Sequence, residues 1–263
     1  MPMTKEQAKE QLKKVWSLPK NSVNLGTHHM CPGCGEPMAY RIIGEIIEEM
    51  GIQENLIQVA GIGCYSALDV MMQNDRINAL HGRAPSVATG VKRMLPDRFV
   101  ITIQGDGDLV SEGIAEAVHC AARGENFTVF LLNNMVNGET GGHMTATTMV
   151  GHKTKSTLQG RDAKVHGMPI KTAELLAQLE GTAYSARGSV HSPAAIIRTK
   201  RMVRKALHAQ RDNLGFSFVE ILTMCPTGWF METWEAPQFM EDTMTKYFTL
   251  GEFKVPQAAE AAA

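Results

Sequence analysis

The sequence predicts an α/β fold, a mostly parallel sheet with helices on both faces. Short β-branched or aromatic runs alternate with helix-length segments of amphipathic period along most of the chain. Runs such as 127–132 (FTVFLL) are continuously apolar rather than alternating, which suits strands buried on both faces. Glycines crowd the ends of two such runs, at Gly61 and Gly63 and at Gly105 and Gly107, where the chain must leave a strand sharply.

The elements follow in order. Residues 36–50 place Met38, Ile42, Ile43, Ile46, Ile47 and Met50 on one helical face, with Pro37 in the first turn and Gly51 as the stop. A buried strand is expected at 56–63, a helix at 83–95 and a strand at 98–104. A small-residue helix at 111–124 and a strand at 127–132 come next. Residues 135–168, rich in Gly and Thr, show no clean period, and so long an irregular stretch is usually functional. A helix at 170–180, a strand at 182–187, a long basic helix at 192–212, a strand at 216–223 and an amphipathic helix at 231–248 complete the chain, before a tail at 257–263.

The 263 residues allow one large domain or two small ones, with 44% hydrophobic and 20% charged content. A net charge of −1 argues against nucleic acid or an acidic membrane as partner. The first twenty residues read as an amphipathic polar helix, not an apolar leader, and no apolar run approaches the ~18 residues of a membrane span. Five cysteines, an odd number, do not suit a disulfide framework, so the expectation is a cytoplasmic chain with reduced thiols. The 17 methionines read as core filler.

Two motifs carry chemistry. Gly105-Asp106-Gly107-Asp108 follows a strand, where open α/β sheets bind ligands. Glycines there let backbone N–H groups approach a diphosphate, and the next helix N-terminus favours its charge. A bridging Mg²⁺ wants hard oxygens: the Asp106 carboxylate, the Asn134 amide carbonyl at the next strand end, and the Val136 backbone carbonyl. Alone, Gly-Asp-Gly is better read as a tight turn after a strand. Asn133-Asn134 after 25 intervening residues of helix and strand makes it specific.

The second motif is Cys31-Pro-Gly-Cys34, with Cys64 after Gly63 and Cys225 after the strand at 216–223. A redox dithiol needs no further cysteines, and zinc usually takes two local pairs. The four read as one soft-metal site, with iron–sulfur and zinc not separable on spacing. Cys120, inside a helix, reads as packing. His81 and Arg83 precede a helix, where they serve either as an ordinary cap or as contacts to cofactor or acidic substrate. His28 and His29 precede the cysteine loop as partners of the site or solvated histidines. Lys153, Lys155, Arg161 and Lys164 read as a solvated face or an anion-binding surface.

The runs HHMCPGCGE, GIGC, LHGRAPSVATGVK, IQGDGDLVSEGI, LLNNMVNGETGGHMTATT and MCPTGW, in this order from about His28 to Lys254, resemble the β subunit of the 2-oxoacid:ferredoxin oxidoreductases. The resemblance implies the diphosphate-binding domain of the thiamine diphosphate-binding fold. It implies thiamine diphosphate with Mg²⁺ at Asp106, Asn134 and Val136, the cofactor also contacting Gly63, Cys64, Gly105, Gly107, Asp108, Gly138, Glu139 and Thr140. It implies a [4Fe–4S] cluster on Cys31, Cys34, Cys64 and Cys225. The implied activity is CoA-dependent oxidative decarboxylation of a 2-oxoacid to acyl-CoA and CO₂, with electrons leaving singly through the cluster to ferredoxin or a similar acceptor. The activating glutamate is expected on a partner, an alpha subunit carrying the thiamine-pyrimidine domain, in a hetero-oligomer with two copies of each chain and further small subunits allowed. His81 and Arg83 are then candidate substrate or cofactor contacts.

The implied organisation is a helical arm over 1–25, the cofactor domain with its iron–sulfur loops over 26–225, and a C-terminal helix and tail over 226–263 packing on the domain or the partner. The loop departs from the family pattern at Asn137, usually Tyr, and at His143, usually Gln. The chain's ending leans to a branched-chain or other apolar 2-oxoacid. Pyruvate or 2-oxoglutarate is the alternative, as is a non-oxidative thiamine enzyme with a structural zinc, or a non-catalytic electron-transfer or assembly subunit.

Overall fold

A computed structural model describes residues 28–256; the expected arm over 1–25 and the tail at 257–263 lie outside the described residues. Seven strands form the main sheet: β1 (Leu56–Ala60), β2 (Asp75–Asn78), β3 (Phe99–Gly105), β4 (Thr128–Asn133), β5 (Thr182–Ser189), β6 (Phe216–Leu222) and β7 (Gly251–Lys254). Their order is β2-β1-β3-β4-β6-β5-β7. All neighbours are parallel except β5 and β7. The main helices are α1 (Glu36–Met50), α2 (Ala84–Met94), α3 (Ile114–Arg123), α4 (Thr172–Ala177) and α5 (Pro193–Arg211).

Alternation along the central strands divides the core. Ile101, Ile103, Phe130 and Leu132 pack with Ile42, Ile43, Ile46 and Ile47 of α1 and Val203, Ala206 and Leu207 of α5. Their neighbours Val100, Val129 and Leu131 face Ala88 of α2, Ala117 and Ala121 of α3, and Leu176 of α4. These central strands are thus covered on both sides, which is why their apolar residues run consecutively instead of alternating with polar ones. Helix ends follow local chemistry. Ser192 caps α5 by accepting from the Ala195 N–H at 3.3 Å, and Gly51, at φ 64°, ends α1 in the left-handed conformation.

The structure corrects several boundaries. Met38 is 36% exposed and lies off the buried face of α1, whereas Tyr40 and Glu36 are buried. β1 ends at Ala60 rather than at 63, and the helix expected at 170–180 covers only Thr172–Ala177. The expected 111–124 helix is preceded by a π-helical turn, Gly107–Glu112, and begins regularly at Ile114. A β-carbon on Gly113 would stand 2.4 Å from the Gly82 carbonyl oxygen, so the break lies where the two backbones touch. The final helix starts at Ala236, not 231, and runs through a π-helical stretch to Tyr247. Pro237 fits only a first turn, which fixes that start. β2 and β7 were not expected: β2 is exposed throughout and carries no apolar run. A third apolar cluster joins Met135, Val136, Leu222 and Trp229 to Met240, Met244 and Phe248 over the sheet's C-terminal rim.

Candidate active site

β1, β3 and β4 are adjacent and parallel, so their C-terminal ends open onto one rim. There Gly63, Cys64, Gly105, Asp106, Gly107, Asp108, Asn134, Val136 and Gly138 line a single pocket, together with Glu36, Ile62, Tyr65 and Asn137. Glu139 and Thr140 continue the loop into solvent and do not line the pocket.

Asp106 is 1% exposed. Its Oδ2 accepts from the Thr145 and Thr147 hydroxyls at 2.6 and 2.5 Å. Burial pushes its carboxyl up to about 6, against the pull of those hydroxyls. The Asn134 amide is oriented by its neighbours: Oδ1 accepts from the Val136 N–H at 3.1 Å and Nδ2 donates to Glu36 Oε1 at 3.2 Å. The intervening Met135 adopts φ 66°, a left-handed conformation costly for a non-glycine residue. Asn133 Oδ1 holds its N–H at 3.0 Å, and Asn133 is fixed in turn by Glu220 at 2.7 Å. Glu220 accepts from the fully buried Arg187 Nε at 2.8 Å.

Glu36 was missed by the sequence reading. It is 2% exposed, and burial, with Asp106 and Glu139 adding, pushes its carboxyl up to about 8. Its Oε2 is buried with no hydrogen-bond partner in the protein. An acidic residue in a helix's first turn reads as a dipole partner, which concealed it.

Three nominated residues have other work. Both Asp108 oxygens are engaged, by the Tyr65 hydroxyl at 2.6 Å, Gln104 Nε2 at 2.8 Å, the Gly82 N–H at 2.5 Å and the Ile62 N–H at 3.4 Å. Asp108 therefore braces the loops around the pocket. Arg83 is ion-paired with Glu116 of α3. Arg161 is buried and bonded to backbone carbonyls, neither a solvated nor an anion-binding residue, while Lys153, Lys155 and Lys164 are exposed. His81 lies at the rim, 31% exposed, with Nδ1 3.2 Å from Asp108 Oδ1.

The cysteines gather beside the pocket. The Cys34 N–H donates to the Cys31 carbonyl at 3.1 Å across the turn, and the Gly35 N–H reaches the Met224 carbonyl at 3.0 Å, tying this loop to the one bearing Cys225. A β-carbon on Gly138 would lie 3.1 Å from Cys64 Sγ and 3.8 Å from Cys225 Sγ. Burial pushes the Cys225 thiol up to about 12, with Glu36, Cys31 and Asp106 adding to it. Cys34 and Cys64 are raised further by burial, with Glu36 and Cys225 contributing to each. All four are free thiols, as is Cys120, which packs in the core. Among the described residues, no three or more His, Cys, Asp or Glu converge to hold a single metal ion.

This rim is that of a diphosphate-binding α/β domain. Residues 61–221 match the C-terminal TPP-binding domain of the thiamine pyrophosphate enzymes. The chain is 38% identical over 245 residues to the ketoisovalerate oxidoreductase subunit VorA of Methanothermobacter thermautotrophicus, covering 93% of this chain and 51% of VorA. It is 32% identical over 203 residues to the 2-oxoglutarate synthase subunit KorB of Methanocaldococcus jannaschii, covering 76% of this chain and 70% of KorB. A solved 2-oxoglutarate:ferredoxin oxidoreductase from Magnetococcus marinus shares the fold, with a TM-score of 0.75 and 22% identity over 94% of this chain and 88% of that one. The chain belongs to the thiamine pyrophosphate-binding subunits of the 2-oxoacid oxidoreductases. It spans about half the length of the VorA proteins it matches. No helix among the described residues is long and apolar enough to cross a membrane.

Proposed function

We propose that this chain is the cofactor-binding β subunit of a 2-oxoacid:ferredoxin oxidoreductase, performing CoA-dependent oxidative decarboxylation with an alpha subunit that supplies the thiamine-pyrimidine domain. One observation carries the reading: Gly138 and Cys64 belong both to the pocket of Asp106 and Asn134 and to the cysteine gathering. A cofactor cradle and a thiol cradle share one wall.

The donor sets fit their groups. Asp106, the Asn134 amide and the Val136 carbonyl are hard oxygens for Mg²⁺, and Gly105 and Gly107 line the same pocket. Desolvation, with Glu36 adding, holds the Cys34, Cys64 and Cys225 thiols toward the neutral form; bound iron would supply the charge that makes the cysteines thiolates. Zinc usually takes two local pairs, whereas here one Cys-x-x-Cys pair is joined by two single cysteines from other loops. This favours [4Fe–4S] over a structural zinc.

Thiamine diphosphate, when bound, supplies an electron sink at the 2-oxo carbon, and the cluster supplies a one-electron exit to ferredoxin. The chain's residues position these groups. Asp106 and Asn134 fix the diphosphate end, Asp108 and Tyr65 hold the wall formed by residues 61–65, and His81 stands at the entrance. The substrate is a branched-chain or other apolar 2-oxoacid. The ketoisovalerate name of the VorA relatives supports this.

The test is to purify the chain with its co-encoded partner subunits and follow CoA-dependent viologen reduction. Faster turnover with 2-oxoisovalerate than with 2-oxoglutarate supports the substrate assignment. Absence of reduction with every 2-oxoacid, in a complex containing iron and thiamine diphosphate, sinks the function.

A further inference from the structure

We propose that Arg161 is a positioning residue for the Mg²⁺–diphosphate site, acting on Asp106 through the turn that carries Thr145 and Thr147. This rests on the function proposed above.

Arg161 is 5% exposed. Its Nη1 donates to the carbonyls of Thr145, Ala146 and Thr148 at 3.0, 3.2 and 2.8 Å. Nη2 donates to those of His166 and Met168 at 3.1 and 3.2 Å, and Nε to that of Gly167 at 2.9 Å. A guanidinium has five N–H donors in a rigid planar fork, and here they meet six backbone carbonyls from two separate segments. These partners are dipoles, not carboxylates, so the fork joins segments 145–148 and 166–168 as a bound cation would.

The first segment matters for the site. Its carbonyls face Arg161, while the hydroxyls of Thr145 and Thr147 converge on one oxygen, Asp106 Oδ2. Pinning a single oxygen fixes the carboxylate's rotation. The same turn reaches the neighbouring strand end, where the Thr148 hydroxyl donates to the carbonyl of the left-handed Met135, between Asn134 and Val136. One turn therefore grips both Asp106 and the backbone between the other two proposed ligands. Its shape is fixed from behind by Arg161. Lysine, a point charge with three donors, cannot span six carbonyls.

The test uses the purified complex, stripped of Mg²⁺ with chelator and titrated with Mg²⁺ at fixed thiamine diphosphate, binding being read by calorimetry. Arg161→Met and Arg161→Lys should weaken Mg²⁺ binding by about 10–100-fold, the usual effect of losing an outer-shell partner. Iron content and the reduced cluster's EPR signal should stay at the wild-type level. The double variant Thr145→Val/Thr147→Val, which leaves Arg161 in place, should weaken binding similarly, and Thr145→Ser/Thr147→Ser should restore it. Adding Arg161→Met to the valine pair should weaken binding little further.

Wild-type Mg²⁺ affinity in the arginine variants overturns the proposal, as does simultaneous loss of the cluster, which marks a merely structural role. If the arginine variants fail to fold, the threonine pairs decide, and wild-type affinity in the valine pair overturns it. If the unaltered complex shows no Mg²⁺-dependent binding of thiamine diphosphate, the cofactor assignment itself fails, a distinguishable result.

Discussion

The Trp229 indole N–H donates to the Asn134 carbonyl oxygen at 2.7 Å, joining the segment after Cys225 to the turn of the proposed magnesium ligands. Trp229 is 5% exposed and rests on Phe239, with ring centroids 5.2 Å apart. Trp229→Phe keeps most of the packing but leaves a buried carbonyl unpartnered, at a cost of about 1–3 kcal/mol. The expected result is a lower melting temperature and weaker binding of thiamine diphosphate, with iron content retained. An unchanged melting temperature and affinity would show that the bond is dispensable.

Cys225→Ser and Cys34→Ser should each remove a cluster ligand. Anaerobically purified complexes should lose visible absorption and the reduced EPR signal and cease viologen reduction, while still binding thiamine diphosphate. Cys120→Ser, in the core between α2 and α3, should keep the cluster. A cluster that persists in Cys225→Ser refutes the assigned ligand set.

Gly138→Ala places a methyl group 3.1 Å from Cys64 Sγ. A thiol held by iron cannot give way, so the variant should show a shifted reduction potential or substoichiometric iron. Parallel iron analysis and EPR of the variant and the unaltered complex provide the check; identical spectra and potential would contradict a close approach of this loop to the cluster.

Asp69, outside the proposed ligand set, gives a pH dependence. It is 3% exposed and accepts from the Tyr40 hydroxyl at 2.5 Å and from Gln58. Burial pushes its carboxyl up to about 7, despite those donors. The folded chain therefore holds this proton more tightly than the unfolded chain, whose carboxyl titrates near ~3.9. Asp69's contribution to stability is complete below that value and is lost as pH rises through about 7. Asp69→Asn should remove this component, so melting temperatures of variant and unaltered protein should diverge between pH ~5 and ~8, in the variant's favour at the higher value. Parallel curves would refute the shift.

The buried Arg187–Glu220 pair should be costly to break on one side only. Glu220→Gln leaves Arg187 with the partly exposed Glu174 carboxylate and the Thr249 carbonyl and alters the support of Asn133. Removing one member of a buried pair typically costs about 3–5 kcal/mol. Thermal unfolding of the variant should show a large drop; a loss within error would mean that Glu174 suffices.

The central sheet was legible because β3, β4 and β6 are buried on both faces and so advertise themselves as apolar runs. Asp106, Asn134 and the four cysteines were nominated from residue types local to strand ends and short loops, and the structure brings Asp106, Asn134 and Cys64 to one pocket. The partners that orient them were not. Thr145 reaches Asp106 from 39 residues away, and Trp229 reaches Asn134 from 95, distances at which no local pattern survives. Arg161 carried the opposite difficulty: a charged residue in a Gly-Thr loop looks solvated, and only the carbonyls folded around it make its burial tolerable. β2 escaped because an exposed edge strand needs no apolar residues at all.

The partition between the two cradles is one glycine thick at Gly138. With so little material between them, neither compartment has a lining wholly its own there. A side chain introduced to reshape the coenzyme chamber would press on the sulfurs, and one introduced to retune the metal would narrow the chamber. Under the proposed function, a substitution at Gly138 is therefore expected to disturb the coenzyme chamber and the cluster together.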